Sequence, residues 1–297
     1  MLQFLLDTLA RTADLALIAL GLSLVYGLAK FPNVAHVQYA MLGAFIAVAL
    51  QRSGWPLPLA VGASCVLMGS LAVLLHIGVF RRLLRSGPAI AMIGSLALSM
   101  IIGALVLGIA GSSPLSYRLP IEAPWSLGDA MLARSQLLSM ITTLVLLVLF
   151  ALLLFKTRLG RSMRALACNA PLAAAAGLNA DGITYWVNFM SGALAALGGS
   201  LLAMNTSAYT NLGSDLLLPI FAAAILGGLG NPLGAVLGAL LIALTETLVT
   251  NLNVGWLYGQ AMAFIPVSYI GAASFLILLL ALIFRPYGLF DREVRRV

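Results

Sequence analysis

Lys156–Asp181 reads KTRLGRSMRALACNAPLAAAAGLNAD, a stretch with four cations (Lys156, Arg158, Arg161, Arg164) and no acid before Asp181. Strongly apolar segments flank it on both sides. A short basic loop between apolar segments stays on the cytoplasmic face of a membrane. The stretch therefore predicts both a membrane protein and its orientation.

Composition carries the same message. Of 297 residues, 62% are hydrophobic and 8% charged, and the mean hydropathy is +1.08. Soluble chains carry about a quarter of their residues as charged groups. The net charge of +7 sits in clusters beside apolar runs, which reads as positive-inside anchoring and argues against nucleic acid as a partner. Cys65 lies in an apolar run and Cys168 in the basic loop, so no disulfide framework is expected. No second His, Cys or paired carboxylate stands at ligand spacing around His76, and no metal site is expected. His76 reads as a snorkelling side chain at the interface.

The N-terminal MLQFLLDTLARTADLALIAL lacks a charged n-region and a cleavage site, and Asp7 interrupts it, so it reads as a short helix leading into the first span. That span is expected at Ala13–Ala29, with Asp14 near its outer end. Pro32 breaks the helix and Asn33 can cap a new one, opening a second span with the polar cluster Asn33, His36, Gln38 and Tyr39. Further spans are expected at 58–80, 88–111, 136–155, 183–204, 216–229, 233–249 and 264–284, separated by basic loops on one side and charge-balanced or neutral ones on the other. The expectation is an all-α integral membrane protein of eight or nine transmembrane helices, a single polytopic domain over 1–297 with a cytoplasmic loop at 156–182. An odd count places the N-terminus outside and the C-terminus inside. A re-entrant second or seventh segment reverses that parity.

Glycine occurs 29 times, most densely in MSGALAALGGSLLAM (190–204) and ILGGLGNPLGAVLGALLIAL (225–244). Small residues let helices approach closely in lipid. In Gly227-Gly228-Leu229-Gly230-Asn231-Pro232, glycine permits positive φ, Asn caps and Pro restarts a helix, so the turn reads as a hinge. The break at Phe31-Pro32-Asn33 is its counterpart in the other half. Paired discontinuities point to a transport pathway, and an inverted repeat is one reading of the pair, simple packing the other. Glu246 is an acid in an apolar span. Such a residue is a functional candidate, but Thr245, Thr247 and Thr250 stand nearby as structural partners.

In the basic loop, Asn169 can cap a short helix with Pro171 in its first turn, closed by Gly177 in the left-handed conformation. Its apolar face needs a partner, either the protein's own membrane-proximal surface or a groove on a soluble protein.

The runs RALACNAPLAAAAGLNAD, FMSGALAALGGSLLA, FAAAILGGLGNPLGAVLGALLIALTE and FRPYGLF, with the N-terminal ALIALGLSLVYGLAKFPNVAHVQYAMLGAF, resemble the LivH-type permease subunits of ABC importers for branched-chain amino acids. The resemblance covers nearly the whole chain. Val37 stands where that family has Gly, and Ala170-Pro171 where acids are common.

The resemblance implies a translocation pathway for branched-chain or related amino acids in a bacterial inner membrane. It implies as partners a second, LivM-like permease, two ATPase subunits and an extracytoplasmic binding protein. The loop would seat in an ATPase through Arg161, Arg164, Ala165, Asn169, Ala176 and Gly177. The sequence carries no G-x-x-x-x-G-K-[ST] motif, so ATP would be bound by the partners and no cofactor by this chain, which would not be an enzyme. Asn33, His36, Gln38, Gly227, Gly228, Gly230 and Asn231 are the expected pathway residues. An ion- or proton-coupled secondary transporter, titrating at Glu246, Asp14 and His36, is the rival reading.

Overall fold

In a computed structural model, residues 1–120, 123–128, 130–252, 269–284 and 288 are described. The elements run α1 (Leu2–Ala29), α2 (His36–Arg52), α3 (Leu57–Arg85), α4 (Pro88–Ala110), β1 (Trp125–Leu127), β2 (Ala130–Leu132), α5 (Arg134–Lys156), α6 (Arg158–Cys168), α7 (Ala170–Ala175), α8 (Ala180–Asn205), α9 (Leu212–Leu226), α10 (Pro232–Asn251) and α11 (Ile270–Phe284). The expected 250–260 connection, the start of the last span and the C-terminal tail fall wholly or largely outside the described residues.

Six of these helices, α1, α3, α4, α5, α8 and α10, are long and apolar enough to cross a membrane, and α9 and α11 are shorter apolar helices. With α2 embedded among them, the chain is an all-α integral membrane protein. α1 and α8 are mostly buried and form the centre of the bundle. By contrast α3, α4 and α5 expose long rows of Leu, Ile and Val, as helices do when lipid is the solvent.

α1 is longer at its start than the sequence suggested. Leu2–Ala29 is one continuous helix, because nothing between Met1 and Ala13 breaks it, and Asp14 lies at its middle rather than its outer end. α1 and α8 run antiparallel: Ser191 Oγ donates to Gly21 O at 2.9 Å, and Asn205 Nδ2 to Asp14 Oδ1 at 3.3 Å. One end of the bundle thus gathers Lys30, Lys156 and the α6–α7 loop. The opposite end gathers Asn205 and the β1–β2 hairpin, an antiparallel pair in which Trp125 faces Leu132.

The two halves share a plan. α1–α4 and α8–α11 each contain a long helix, a break, a short helix and another long helix, and their packing is exchanged. α3 lies along α8 as α10 lies along α1, while α2 packs on α3 as α9 packs on α10. Since α1 and α8 are antiparallel, this is the geometry of an inverted repeat. Backbone contact between halves needs residues without side chains: a methyl on Gly43 would collide with Ala196, and one on Gly199 with Ala40. Gly192, Ala196 and Ser200, four residues apart in α8, form a stripe that works the same way, with Gly192 seated against Ala72 and Met68 of α3.

Two local features were not expected. α3 contains a π turn at His76–Phe80, and His76 does not snorkel. It is buried, its ring packed edge-on against Tyr185 at 6.2 Å. Beside it Arg81 pairs with Asp181 at 2.9 Å and reaches the Tyr185 hydroxyl, fastening α3 to the start of α8 at the basic end.

Candidate functional site: a broken helix, two polar cavities and a loop

After α1 ends at Lys30, which takes the left-handed conformation (φ 53°), residues 31–35 run without helix back into the bundle. Phe31 is buried against Phe80, ring centroids 5.5 Å apart. α2 then starts inside the protein: His36 Nε2 lies 3.0 Å from the carbonyl of Ile18, near the middle of α1. Non-helical backbone at such depth persists only where its polar groups are satisfied. Here Val34 N–H donates to Ser95 Oγ at 3.0 Å, Ala35 N–H to Asn33 Oδ1 at 3.1 Å and His36 N–H to Asn33 O at 3.2 Å. Facing a carbonyl, His36 Nε2 carries the ring proton, leaving Nδ1 as an acceptor 3.2 Å from the Ser191 hydroxyl, whose one proton is shared between Nδ1 and the closer Gly21 carbonyl. Val34 and His36 therefore bind the break to α1, α4 and α8, while Asn33 closes the break on itself.

Gln38, two residues further on in the first turn of α2, does something else. Its Nε2 donates to Ser99 Oγ at 3.1 Å, and Ser99 is the middle residue of α4. Its Oε1 is buried with no hydrogen-bond partner among the described residues. An orphaned buried acceptor costs about 1–3 kcal/mol. Against it packs the first turn of α9, where Gly213 leaves room that any side chain would fill. The first turns of both short helices therefore border one cavity of about 590 Å³, with Gln38, Ser99, Ser112, Thr210, Asn211 and Ser214 as its polar groups and Val37, Leu96, Met100 and Leu217 among its apolar walls.

A second cavity, about 890 Å³, opens toward the end opposite the basic loop and holds Asp7, Arg11, Asp14, Asn205, Asp215 and Glu246. Glu246 does not rely on its threonine neighbours. Its Oε2 pairs with Arg11 Nε at 2.7 Å and its Oε1 accepts from Ser274 Oγ at 2.6 Å, joining α1, α10 and α11. Arg11 was missed as a site residue, although Asp7, Arg11 and Asp14 at spacings of four and three share one helix face. In the loop before α9, Tyr209 donates to Asp215 Oδ2 at 2.9 Å. Burial, helped by that bond and the carboxylate's charge, pushes its phenol up to about 12, so it remains a donor at neutral pH.

The glycine turn between α9 and α10 divides its labour. Gly228 and Gly230 both take φ near 91°, while Gly227 does not. Gly227 is instead pressed against the backbone of Gly234, and Asn231 Oδ1 caps α10 by accepting from Gly234 N–H at 3.1 Å. α9, with Pro219 inside it, spans 15 residues. That is about 22 Å, short of the roughly 30 Å hydrocarbon core.

The basic loop holds two helices where one was expected. Thr157 caps α6, whose Met163 and Leu166 join Leu24, Phe150, Leu154 and Ile183 in an apolar cluster. Arg164 donates to the carbonyl of Leu154, and its guanidinium lies 5.2 Å from the Phe155 ring centre. The basic half is thus an amphipathic helix clamped to α5 as well as a charged anchor. Asn169 Oδ1 accepts from Leu172 N–H at 3.0 Å and Gly177 takes φ 86°, as the sequence suggested. Arg161, Arg164, Ala165, Asn169, Ala176 and Gly177 are all exposed. Ala173 packs into that apolar cluster, but Leu172 is 67% exposed, so the Leu172 side of α7 is not buried on the chain itself. A small apolar cavity of about 300 Å³ lies between α6 and the Gly230–Leu233 turn, lined also by Leu24 and Val187. The residues Asn33, His36 and Gln38 and the glycine turn do not share a cavity. The first three meet at the middle of the bundle, and the turn lies at its basic end beside Gly27. Among the described residues no group of His, Cys, Asp and Glu could hold a metal ion.

Comparison with known proteins agrees with this architecture. The family described as branched-chain amino acid transport system / permease component matches residues 4–284. The probable branched-chain amino acid transport permease protein LivH of Methanocaldococcus jannaschii is 30% identical, over 93% of this chain and 88% of that one. The high-affinity branched-chain amino acid transport system permease protein BraD of Pseudomonas aeruginosa is also 30% identical, over 100% of this chain and 98% of its own length. In fold, the chain is similar to PsaBC from Streptococcus pneumoniae, solved in complex with Fab, with a TM-score of 0.52, 14% identity and coverage of 96% of this chain and 92% of that one. The family match runs from the first helix to the last described one, and the chain therefore belongs to the permease components of branched-chain amino acid transport systems.

Proposed function

We propose that this chain is a pathway-forming subunit of an ABC importer, carrying branched-chain or related amino acids. The observation that carries the reading furthest is the exposed α6–α7 loop, whose base adjoins the α9–α10 turn. Its exposed apolar tip at Leu172, flanked by Arg161 and Arg164, suits a groove on an ATP-binding partner. The four cations of the loop and Arg81, Arg82 and Arg85 on the same end support placing that end, and the C-terminus, in the cytoplasm.

A second, LivM-like permease would pack on the exposed apolar helices to complete the pathway, and an extracytoplasmic binding protein would dock at the opposite end. ATP-driven closure of two ATPases would move α6 and α7, and with them the α9–α10 turn, so that the pathway opens to each side in alternation. Hydrolysis would belong to the partners.

The test is reconstitution in proteoliposomes with both ATPases, the second permease and the binding protein. Leucine uptake should require ATP and all components. Leucine flux through the purified chain alone, down a gradient and without ATPases, would refute the reading.

A further inference from the structure

We propose that the cavity bordered by the first turns of α2 and α9 is a mid-membrane station for an aliphatic α-amino acid, holding its carboxylate at the start of α9 and its ammonium at Gln38. This rests on the transport reading above and adds a place and an orientation for the solute.

Three independent features meet there. The first is depth: Gln38 bonds Ser99 at the middle of α4. The second is the start of α9, a helix of 15 residues whose preceding Asn211 makes no side-chain cap. Among the described residues, no acceptor meets the backbone N–H of Gly213 or Ser214. Uncapped N–H groups at the positive end of a helix dipole attract a carboxylate. The third is Gln38 itself, 4% exposed and bordering the cavity, with an Oε1 that lacks any donor among the described residues. An ammonium is the donor that would satisfy it.

The two polar features touch, since Gly213 packs directly on the Gln38 amide. They offer an acceptor and a set of donors side by side, which matches the ammonium and carboxylate carried on one carbon. Val37, Leu96, Met100 and Leu217 form an apolar part of the wall positioned for an aliphatic side chain, beside the polar Ser99, Ser112, Thr210 and Asn211. Gly213 also seals Oε1 in this conformation. The station is therefore complete when the first turn of α9 shifts away from α2, a movement that the α9–α10 turn would transmit from the loop.

The experiment uses the assembled permease–ATPase complex in detergent, without binding protein, and equilibrium binding of three probes. They are leucine, 4-methylpentanoate (no ammonium) and 3-methylbutylamine (no carboxylate). The wild-type complex should prefer leucine to each analogue by about tenfold or more, as sites built to hydrogen-bond do. Gln38→Met should lose the preference over 4-methylpentanoate and keep the other. Ser214→Pro, which deletes one N–H where a helix tolerates proline, should do the reverse.

Basal ATPase rate and complex assembly serve as controls for folding. A wild-type complex that binds the three probes equally, or a Gln38→Met complex with its selectivity intact, overturns the station. Absence of ATP-driven leucine uptake by the complete wild-type system would instead refute the transport reading, while the three-probe binding still decides whether the cavity holds an amino acid.

Discussion

Arg11 and Glu246 stand 235 positions apart and meet at 2.7 Å, with the Glu246 side chain almost wholly buried and Arg11 open to a polar cavity. The pair ties the first helix to α10, and through Ser274 to α11. It lies in the half of the bundle farthest from the basic loop, and so joins these helices at the end that the loop does not reach.

Glu246→Gln should therefore act on stability. Leaving one partner of a fully buried pair unmatched costs about 3–5 kcal/mol, but Arg11 borders an open polar cavity, so the thermal stability of the purified complex should fall by less than that, with Arg11→Met, Glu246→Leu together recovering part of the loss. ATP-dependence of uptake should remain. Appearance of proton-coupled uptake lost specifically in Glu246→Gln would favour an ion-coupled carrier instead.

Gly177→Val places a β-branched residue at φ 86° where no atom lies within 4 Å of the new Cβ. Any effect is then backbone strain, about 1–2 kcal/mol. Hydrolysis should continue while leucine uptake per ATP drops, measured in the same proteoliposomes. Unchanged stoichiometry would mean that the end of α7 carries no coupling.

The adjacent glycines of the α9–α10 turn should respond differently. Gly227→Ala forces α9 and α10 apart against Gly234, an overpacking cost of about 1–3 kcal/mol. Gly234→Ala meets Gly227 from the other side and should behave alike, so a double variant should show coupling in a thermal-stability cycle.

Cys168 is exposed at the end of α6, whereas Cys65 is partly buried in α3. A membrane-impermeant maleimide applied to inside-out vesicles should label Cys168 in the chain without its ATPases and be blocked when they are bound. Labelling from the opposite face would reverse the assigned orientation.

The breaks and caps were legible because they depend on neighbours in sequence. Pro32, Asn169 with Pro171, and Gly228 through Pro232 each act within one turn and do what their chemistry dictates, whereas Asn33 does not cap α2, whose N-cap is Ala35, and accepts instead from the Ala35 N–H inside the break. The short length of α9 was legible too. What was hidden depends on pairing between distant helices. The threonines around Glu246 were visible and Arg11 was not, since nothing local tells a carboxylate which of several helices will face it. α6 was hidden for another reason: its cations masked the Gly160, Met163 and Leu166 stripe that packs on α5 and α8. Gln38 was read as polar within a pathway, but its unmatched oxygen is visible only once Gly213 stands beside it.

The exchange of partners between halves has a consequence for how the protein is made. α1 enters the membrane first, yet the helix it lies along, α10, and the carboxylate that neutralises Arg11 are synthesised 235 residues later. At ribosomal speeds of about 5–20 residues per second, Arg11 waits roughly 12–47 seconds without its counter-charge. During that interval Asp7 and Asp14, on the same face of α1, are the acids within reach of the arginine, and they stand in for Glu246 until α10 arrives.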